Sequence, residues 1–233
     1  MLKCLALIPA RGGSKGIPRK NIALVGGKPL LAWTIESALK ANCVERVIVS
    51  TDDEQIAQVA RDRGAEVPFL RPAELARDDT PGVDPLLHAV EWLAAHENYF
   101  PEWLILLQPT SPLRTSDDIE AAFALALDRH ADAVVSTTPA CIHPFWTKKI
   151  DETGRLSDFV ASNKSETRRQ DLPPAYAPNG AIYLIRRESL LAARNFFGNQ
   201  TYAYVMPEER SLDLDTAWDL HLADLILRDA TDK

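Results

Sequence analysis

The chain has 233 residues, of which 46% are hydrophobic and 25% charged, a composition typical of one large globular domain. Its net charge of −7 argues against DNA or RNA as the main partner, because nucleic-acid-binding domains usually present a basic face. No segment approaches the ~20 apolar residues that span a bilayer and no signal peptide is recognisable, so we expect a soluble, cytoplasmic protein with no membrane partner.

Short apolar runs alternate with longer amphipathic segments along the chain. In chain order the pattern predicts strands at 5–8, 46–50, 67–70, 103–107, 133–136 and 180–185. Helices are predicted at 28–41, 53–63, 84–96, 116–130 and 216–228, with Ser116 as the N-cap of the fourth. We therefore expect a three-layer α/β fold, in which a mostly parallel sheet carries helices on both faces and binds ligands beyond the carboxyl ends of its strands.

One segment, 143–178, interrupts this alternation. It is polar, contains prolines and includes a charged run at 164–171. Long irregular segments inside a compact domain are uncommon unless they are functional. We interpret 1–233 as a single domain in which 143–178 is an arm or lid that closes over a site or reaches a partner subunit; a surface loop is the alternative.

The loop after the first predicted strand combines glycines with positive charges. Residues 9–21 read PARGGSKGIPRKN and contain the cations Arg11, Lys15, Arg19 and Lys20. Glycines let backbone N–H groups approach a ligand, and clustered cations favour an anion such as a triphosphate. The loop matches neither a Walker A motif nor G-x-G-x-x-G, which argues against kinase-type and dinucleotide-binding sites. A solvated basic turn remains the alternative interpretation.

Two aspartates near the C-terminus are also candidates for chemistry. Asp213 and Asp215 lie two residues apart in a segment without helical periodicity, and an extended backbone would point both carboxylates to the same side. Such a pair can share one hard cation. It can equally be an acidic region that caps the helix predicted from residue 216, and the spacing alone does not decide between the two.

Cysteine and histidine residues form no recognisable motif. Cys4, Cys43 and Cys141 are odd in number and widely spaced, and they match no zinc, redox or disulfide pattern. None of the five histidines forms a metal-binding pair on a predicted helix. We expect free thiols in a reducing compartment.

Six segments, in order along nearly the whole chain, resemble the signatures of acylneuraminate cytidylyltransferases. They are IPARGGSKGIPRKN (8–21), STD (50–52), LRPAEL (70–75), LQPTSPLR (107–114), PNGAIY (178–183) and LDLDT (212–216). This resemblance implies a nucleotidyltransferase of the glycosyltransferase-A-like fold. It would transfer CMP from CTP to the anomeric hydroxyl of a nine-carbon 2-keto sugar acid, N-acetylneuraminate or a close relative, and release pyrophosphate. The family's usual state also implies a homodimer.

The resemblance assigns a role to each candidate residue. The residues assigned to charge stabilisation at the phosphates are Arg11, Lys15 and Lys20. The residues assigned to nucleotide binding are Ala10, Arg11, Gly12, Gly13, Asn21, Arg71 and Thr80. Binding of the sugar acid is assigned to Gln108, Arg169 and Tyr176. Because Arg168 adjoins Arg169, the alignment with the family could shift by one residue at this position. Asp213 and Asp215 are assigned to Mg²⁺ or Mn²⁺.

Other substrates and one other class of protein remain open. Legionaminic acid, pseudaminic acid or the eight-carbon Kdo would preserve the reaction and change only the acceptor. A non-catalytic nucleotide-binding protein could share the fold, since fold does not fix function. That class would be favoured by loss of the cations or of the aspartate pair, and all of these residues are present.

Overall fold

The computed structural model describes residues 3–13, 16–160 and 168–231. Within these ranges, six strands form one central sheet and four form two small hairpins. The sheet strands are β1 (Cys4–Pro9), β4 (Val44–Ser50), β5 (Trp103–Leu106), β6 (Ala133–Pro139), β9 (Tyr176–Arg186) and β10 (Thr201–Val205). The hairpins pair β2 (Leu24–Val25) with β3 (Lys28–Pro29) and β7 (Lys148–Ile150) with β8 (Leu156–Asp158).

The central sheet has the strand order β10-β6-β9-β5-β1-β4. β9 runs antiparallel to its neighbours β5 and β6, whereas the other three pairs are parallel. The carboxyl ends of β1 and β5 therefore lie side by side, with Leu7 opposite Leu106. The prediction of a mostly parallel sheet is confirmed, and the loops after these two strands share one edge of it.

Helices cover both faces of the sheet, as the apolar strand runs predicted. The described helices are α1 (Leu30–Lys40), α2 (Glu54–Asp62), α3 (Asp84–Glu97), α4 (Ser116–Asp128), α5 (Arg187–Ala193) and α6 (Ala217–Thr231). Alternate residues of β1 divide between two apolar layers. Ala6 packs in the layer that contains α1, α2 and α4 residues, and Leu7 in the layer that contains α3 and α5 residues.

Several boundaries differ from the sequence predictions. The N-cap of α4 is Thr115, not Ser116, because the Thr115 hydroxyl accepts the Asp118 N–H and Asp118 bonds back to the Thr115 N–H in a capping box. Residues 67–70 form no strand; residues 66 and 70 each make one isolated bridge to β4 or to the residue after it. β9 begins at Tyr176 rather than Gly180, because its first three residues pair with β6 while they remain exposed. Their exposure removes the apolar pattern that marks a strand.

The segment 143–178 contains more regular structure than predicted. A short 3-10 helix at Pro144–Trp146 precedes the hairpin β7–β8, and a second short one follows at Arg169–Asp171. All six hairpin residues are exposed, including Ile150 at 72% and Leu156 at 69%. The arm or lid role stays a prediction.

None of the helices in the described ranges combines the length and the apolar character needed to cross a lipid bilayer.

Candidate active site

A cavity of about 300 Å³ opens at the carboxyl edge of β1 and β5. Three segments line it: the loop after β1, the loop after β5, and the connection from residue 71 to residue 85. Most of the predicted phosphate and nucleotide residues meet here, together with the predicted sugar-binding glutamine. They are Arg11, Gly13, Lys20, Asn21, Arg71, Thr80 and Gln108. Lys15 lies outside the described residues.

The loop after β1 is braced by hydrogen bonds. The Asn21 side chain donates to the Arg11 carbonyl at 2.9 Å, and the Gly12 N–H donates to Asp52 Oδ1 at 2.9 Å. A methyl group on Gly12 would lie 2.9 Å from the side chain of Asp53, so the close approach requires glycine. Ala10 is fully buried. In its described part the loop is a braced structure, which argues against the interpretation as a solvated turn.

Two arginines occupy different depths beside the cavity. Arg11, at the surface of the cavity, pairs with Asp78 Oδ1 at 2.6 Å. Arg71 is 5% exposed and donates to the hydroxyl of Ser50 at 3.0 Å and to the Ser50 carbonyl. Burial lowers the pKa of Arg71 to about 10, and the charge of Arg11 acts in the same direction. Arg71 therefore remains a cation at neutral pH and links the cavity wall to the end of β4.

Lys20 connects the cavity to the aspartate pair. Its Nζ donates to the Leu214 carbonyl at 2.6 Å and lies 3.6 Å from Asp215 Oδ1. Gly16 also contacts this segment, because a methyl group there would lie 2.6 Å from the Asp215 carbonyl oxygen. The loop after β1 and the aspartate segment thus form one continuous surface.

The aspartates do not cap α6. Thr216 and Asp219 form the cap: Asp219 Oδ2 accepts the Thr216 N–H at 2.7 Å, and the Asp219 N–H donates to the Thr216 hydroxyl at 3.2 Å. Leu214 is fully buried between Asp213 and Asp215, which are both exposed, as the same-side prediction requires. Neither carboxylate is needed to begin the helix.

Electrostatics favour a cation near Asp213. The pKa of Asp213 is raised, first because its carboxyl is partly removed from water and then because of the negative charge of Asp215. The neighbouring Thr110 hydroxyl and the charge of Lys20 act in the opposite direction. A cation bound between the two aspartates would reverse the cost of holding both ionised.

Gln108 lies where the loop after β5 meets the aspartate segment. The Thr110 hydroxyl donates to Gln108 Oε1 at 3.3 Å, and Arg114 Nη1 donates to the Gln108 carbonyl at 3.2 Å. A methyl group on Gly180, whose φ is +76°, would lie 3.4 Å from Gln108 Oε1 and 3.5 Å from Asp213 Oδ2. Gly180 therefore leaves space in which these two side chains come close together.

The other predicted sugar-binding residues lie elsewhere. Tyr176 is 53% exposed at the start of β9 and lines a second cavity of about 270 Å³ with His143 and residues 172–175. It does not line the first cavity. Arg169 begins the short 3-10 helix Arg169–Asp171, and its side chain lies outside the described part. Within one described chain, the structure does not bring Tyr176 and Gln108 to the same cavity.

The sequence analysis did not predict two residues of this site. Asp78 and Thr110 line the cavity and bond to Arg11 and Gln108 respectively. Thr110 sits inside the LQPTSPLR segment, so its position next to Gln108 was a usable signal. Asp78 belongs to an unremarkable acidic pair, and no local pattern predicts its contact with Arg11.

Comparison with known proteins shows which family the chain resembles. The family described as Cytidylyltransferase matches residues 5–218. An N-acylneuraminate cytidylyltransferase of Streptococcus agalactiae serotype V is 38% identical over 92% of this chain and 51% of its own length. The chain therefore spans about half the length of this curated relative. A CMP-N,N'-diacetyllegionaminic acid synthase of Legionella pneumophila is 34% identical over 97% of both proteins.

The fold is also that of a solved nucleotidyltransferase. A CMP:2-keto-3-deoxy-manno-octonic acid synthetase, complexed with CTP, superimposes with a TM-score of 0.72 over 98% of this chain and 99% of that chain, at 20% identity. This identity supports the likeness of fold alone. The family match and the relatives of 38% and 34% identity carry the assignment. The chain belongs to the cytidylyltransferase family.

Proposed function

We propose that this protein transfers CMP from CTP to the anomeric hydroxyl of a nine-carbon 2-keto sugar acid, N-acetylneuraminate or a close relative, with release of pyrophosphate. The observation that carries the proposal is the single surface formed by Arg11, Lys20 and Gln108 with the aspartate pair. At one edge of the sheet, the cations suit a triphosphate, the amide suits a hydroxylated acid, and the paired carboxylates suit a metal ion.

The chemistry asks for positioning and charge stabilisation. The anomeric oxygen bonds to the α-phosphorus of CTP, and the bond from that phosphorus to the bridging oxygen breaks as pyrophosphate leaves. Arg11 and Lys20 offer N–H donors to the phosphate oxygens, in place of their present bonds to Asp78 and the Leu214 carbonyl. Arg71 holds the cavity wall in place through Ser50. No general base is assigned.

Asp213 and Asp215 are the residues that would hold Mg²⁺ or Mn²⁺. The described residues contain no group of three or more carboxylate, histidine or cysteine side chains suited to a metal. Two carboxylates nevertheless fit magnesium, which is usually held by one or two carboxylates together with substrate phosphates and water. When bound, the ion would neutralise phosphate charge and reduce the repulsion between the two anionic substrates.

Legionaminic acid is a second candidate acceptor, and a specific observation favours it. The Legionella relative named for that product has nearly the same length as this chain, with 97% of each protein aligned. The relative named for N-acylneuraminate is about twice as long, since the alignment covers 51% of it. Both candidates share the reaction and differ in the acyl and deoxy groups of the sugar.

We also propose a cytoplasmic homodimer that assembles through the 143–178 arm. The β7–β8 hairpin presents Ile150 and Leu156 to solvent, and Phe159, just after it, is 60% exposed. Apolar side chains concentrated on a projecting hairpin are suited to burial against another protein surface. An arm that exchanges between subunits would account for the separation of Tyr176 from Gln108 within one chain. A CTP-consuming reaction fits the cytoplasm.

The decisive experiment measures pyrophosphate release with CTP and Mg²⁺ against a panel of acids: N-acetylneuraminate, legionaminic, pseudaminic and Kdo. The expected result is CTP-dependent turnover with at least one nine-carbon acid and a CMP-sugar product visible by ³¹P NMR. ATP, GTP and UTP serve as donor controls. Tight CTP binding without turnover on any acid would instead indicate a nucleotide-binding protein, and a preference for Kdo would overturn the nine-carbon assignment.

A further inference from the structure

Two cysteines that are distant in sequence meet at the amino end of the sheet. Cys4 is the first residue of β1 and is fully buried, whereas Cys43 directly precedes β4 and is partly exposed. The Cys4 N–H donates to the Cys43 carbonyl at 2.8 Å. Both side chains pack against the same apolar layer, so they lie on the same side of the sheet. The pairing of β1 with β4 creates this contact. The spacing of the two cysteines in the sequence does not predict it.

The neighbouring thiols favour an arrangement in which Cys4 donates a hydrogen bond toward the sulfur of Cys43. This bond lowers the pKa of Cys43, against opposing effects of partial burial and of Glu120. The same bond raises the pKa of Cys4, and burial adds to the shift. The thiolate therefore forms on the more exposed member of the pair, while the buried member retains its proton. A reactive cysteine beside a second, buried thiol is the arrangement of an attacking and a resolving residue.

We propose that Cys4 and Cys43 are an oxidisable pair, a modification site that a hydroperoxide converts to an intramolecular disulfide. The Cys43 thiolate attacks the peroxide, whose O–O bond breaks to give a Cys43 sulfenic acid and an alcohol. The Cys4 sulfur then attacks the sulfenic sulfur: an S–S bond forms, the S–O bond breaks, and water leaves with the Cys4 proton. Two thiols lose two electrons in total, and the hydroperoxide is reduced to alcohol and water.

Backbone pairing brings the two cysteines within reach of each other, because the Cys4 N–H bonds to the Cys43 carbonyl. Cys4 pairs with Val44 in the β1–β4 ladder, and Cys43 is the next residue back along the chain. Neighbouring strands lie ~5 Å apart, within the ~4.4–6.8 Å range of Cα separations in disulfides. Cys43 lies in the turn before β4, so the alternation of the strand does not fix the direction of its side chain.

The position of the cysteine pair indicates how its oxidation would affect the protein. The pair lies at the amino end of β1, whereas the cavity lies beyond its carboxyl end at Pro9. A disulfide would close a covalent loop that contains the loop after β1 and α1, and would limit the freedom of the unfolded chain. Oxidation should therefore stabilise the protein and leave its active-site groups untouched.

The test uses the full chain with Cys141→Ser, which removes the exposed third thiol. The folded protein is treated with a small excess of hydrogen peroxide and analysed by intact mass and by peptide mapping without reduction. We expect the loss of two hydrogens, a peptide that links Cys4 to Cys43, a melting temperature raised by several degrees, and full reversal by dithiothreitol. Cys4→Ser should instead yield stable, overoxidised Cys43.

Two results would overturn the proposal. One is Cys43 that oxidises to sulfinic acid without a link to Cys4, although Cys4 is present. The other is a pair that stays reduced under conditions that oxidise Cys141 in the unsubstituted protein. The matched variant Cys43→Ser, in the same background, must retain a reduced Cys4. All of these readouts are masses and melting temperatures, so they do not depend on the proposed reaction.

Discussion

Arg210 donates two hydrogen bonds to the carboxylate of Asp118, from Nε at 3.0 Å and from Nη2 at 2.7 Å. Asp118 is 1% exposed, and the Tyr204 hydroxyl donates to it at 3.0 Å. The same carboxylate caps α4 through Thr115. Because Arg210 precedes Asp213 by three residues, this ion pair ties the aspartate segment to a helix of the core.

The first prediction concerns the pH dependence of that ion pair. Burial alone raises the pKa of Asp118, but bonds from Arg210, Thr115 and Tyr204 outweigh it, so the pKa is lowered. A carboxyl with a lowered folded-state pKa stabilises the protein above its unfolded pKa of ~4, and this stability is lost as the pH falls through the folded pKa.

Asp118→Asn should therefore reduce the free energy of unfolding by about 1–2 kcal/mol at pH 7, because it weakens the charge-assisted bonds from Arg210, whose side chain is 39% exposed and regains water. The difference from the unsubstituted protein should shrink as the pH falls below ~4. Urea unfolding across this pH range measures both effects. Asp117→Asn, at the exposed neighbouring position, is the control and should change little. A pH-independent difference would mean that Asp118 contributes only its helix cap.

The second prediction separates two adjacent cations. Lys20→Ala should lower kcat by roughly 10²–10³-fold, the scale expected when one positioned group that stabilises developing charge is lost. Arg19→Ala is the matched control, because Arg19 points away to Asp53 at 3.2 Å and does not line the cavity. Steady-state pyrophosphate release and circular dichroism of both variants provide the comparison. If both variants lost only a small and equal part of kcat, Lys20 would have a structural role instead.

The third prediction distinguishes metal binding from helix capping. Asp215→Asn should leave the melting temperature nearly unchanged, since the side chain is 79% exposed, but should cut kcat by several orders of magnitude and weaken the Mg²⁺ dependence. Asp219→Ala should do the reverse: it should lose ~1 kcal/mol of stability with its cap and keep the Mg²⁺ dependence. Titration of Mn²⁺ by electron paramagnetic resonance, with CTP present, measures binding apart from turnover. Wild-type turnover and Mn²⁺ binding in Asp215→Asn would refute the metal role.

The fourth prediction concerns the arm. We expect a homodimer in sedimentation velocity, and we expect Ile150→Asp to raise its dissociation constant at least ~10-fold by placing a charge in an apolar contact. Phe197→Asp introduces the same charge at a residue that is 60% exposed outside the arm, and should leave the dimer intact. If the unsubstituted protein were a monomer at the assay concentration, the proposal of a dimer formed through the arm would be wrong.

Sequence patterns predicted the elements whose side chains face the core. β1 and β5 were recognisable because every residue from Cys4 to Ile8 and from Trp103 to Leu106 is buried. The start of β9 was missed because its exposed residues are held only by backbone pairing with β6. Residues 67–70 have a strand composition, but the chain makes single bridges there instead of a ladder.

The candidate site was predictable as a set of residues and not as a set of contacts. Motif order located Arg11, Lys20 and Arg71, yet considered alone Arg71 looks like a surface arginine, whereas it is almost fully buried against Ser50. Its partner lies 21 residues away, at the end of β4. Contacts of this kind depend on which strands become neighbours, and local composition does not encode that choice.

The bond between Lys20 and the Leu214 carbonyl spans 194 residues, and this separation bears on how the protein is made. The loop after β1 leaves the ribosome long before residue 214, whose carbonyl holds Lys20, has been synthesised. Until then the loop lacks this partner, and contacts between distant residues form slowly because a long loop must close first. Nucleotide binding should accordingly appear only after residue 214 has been synthesised, and should be a stricter measure of completed folding of this region than helix content is.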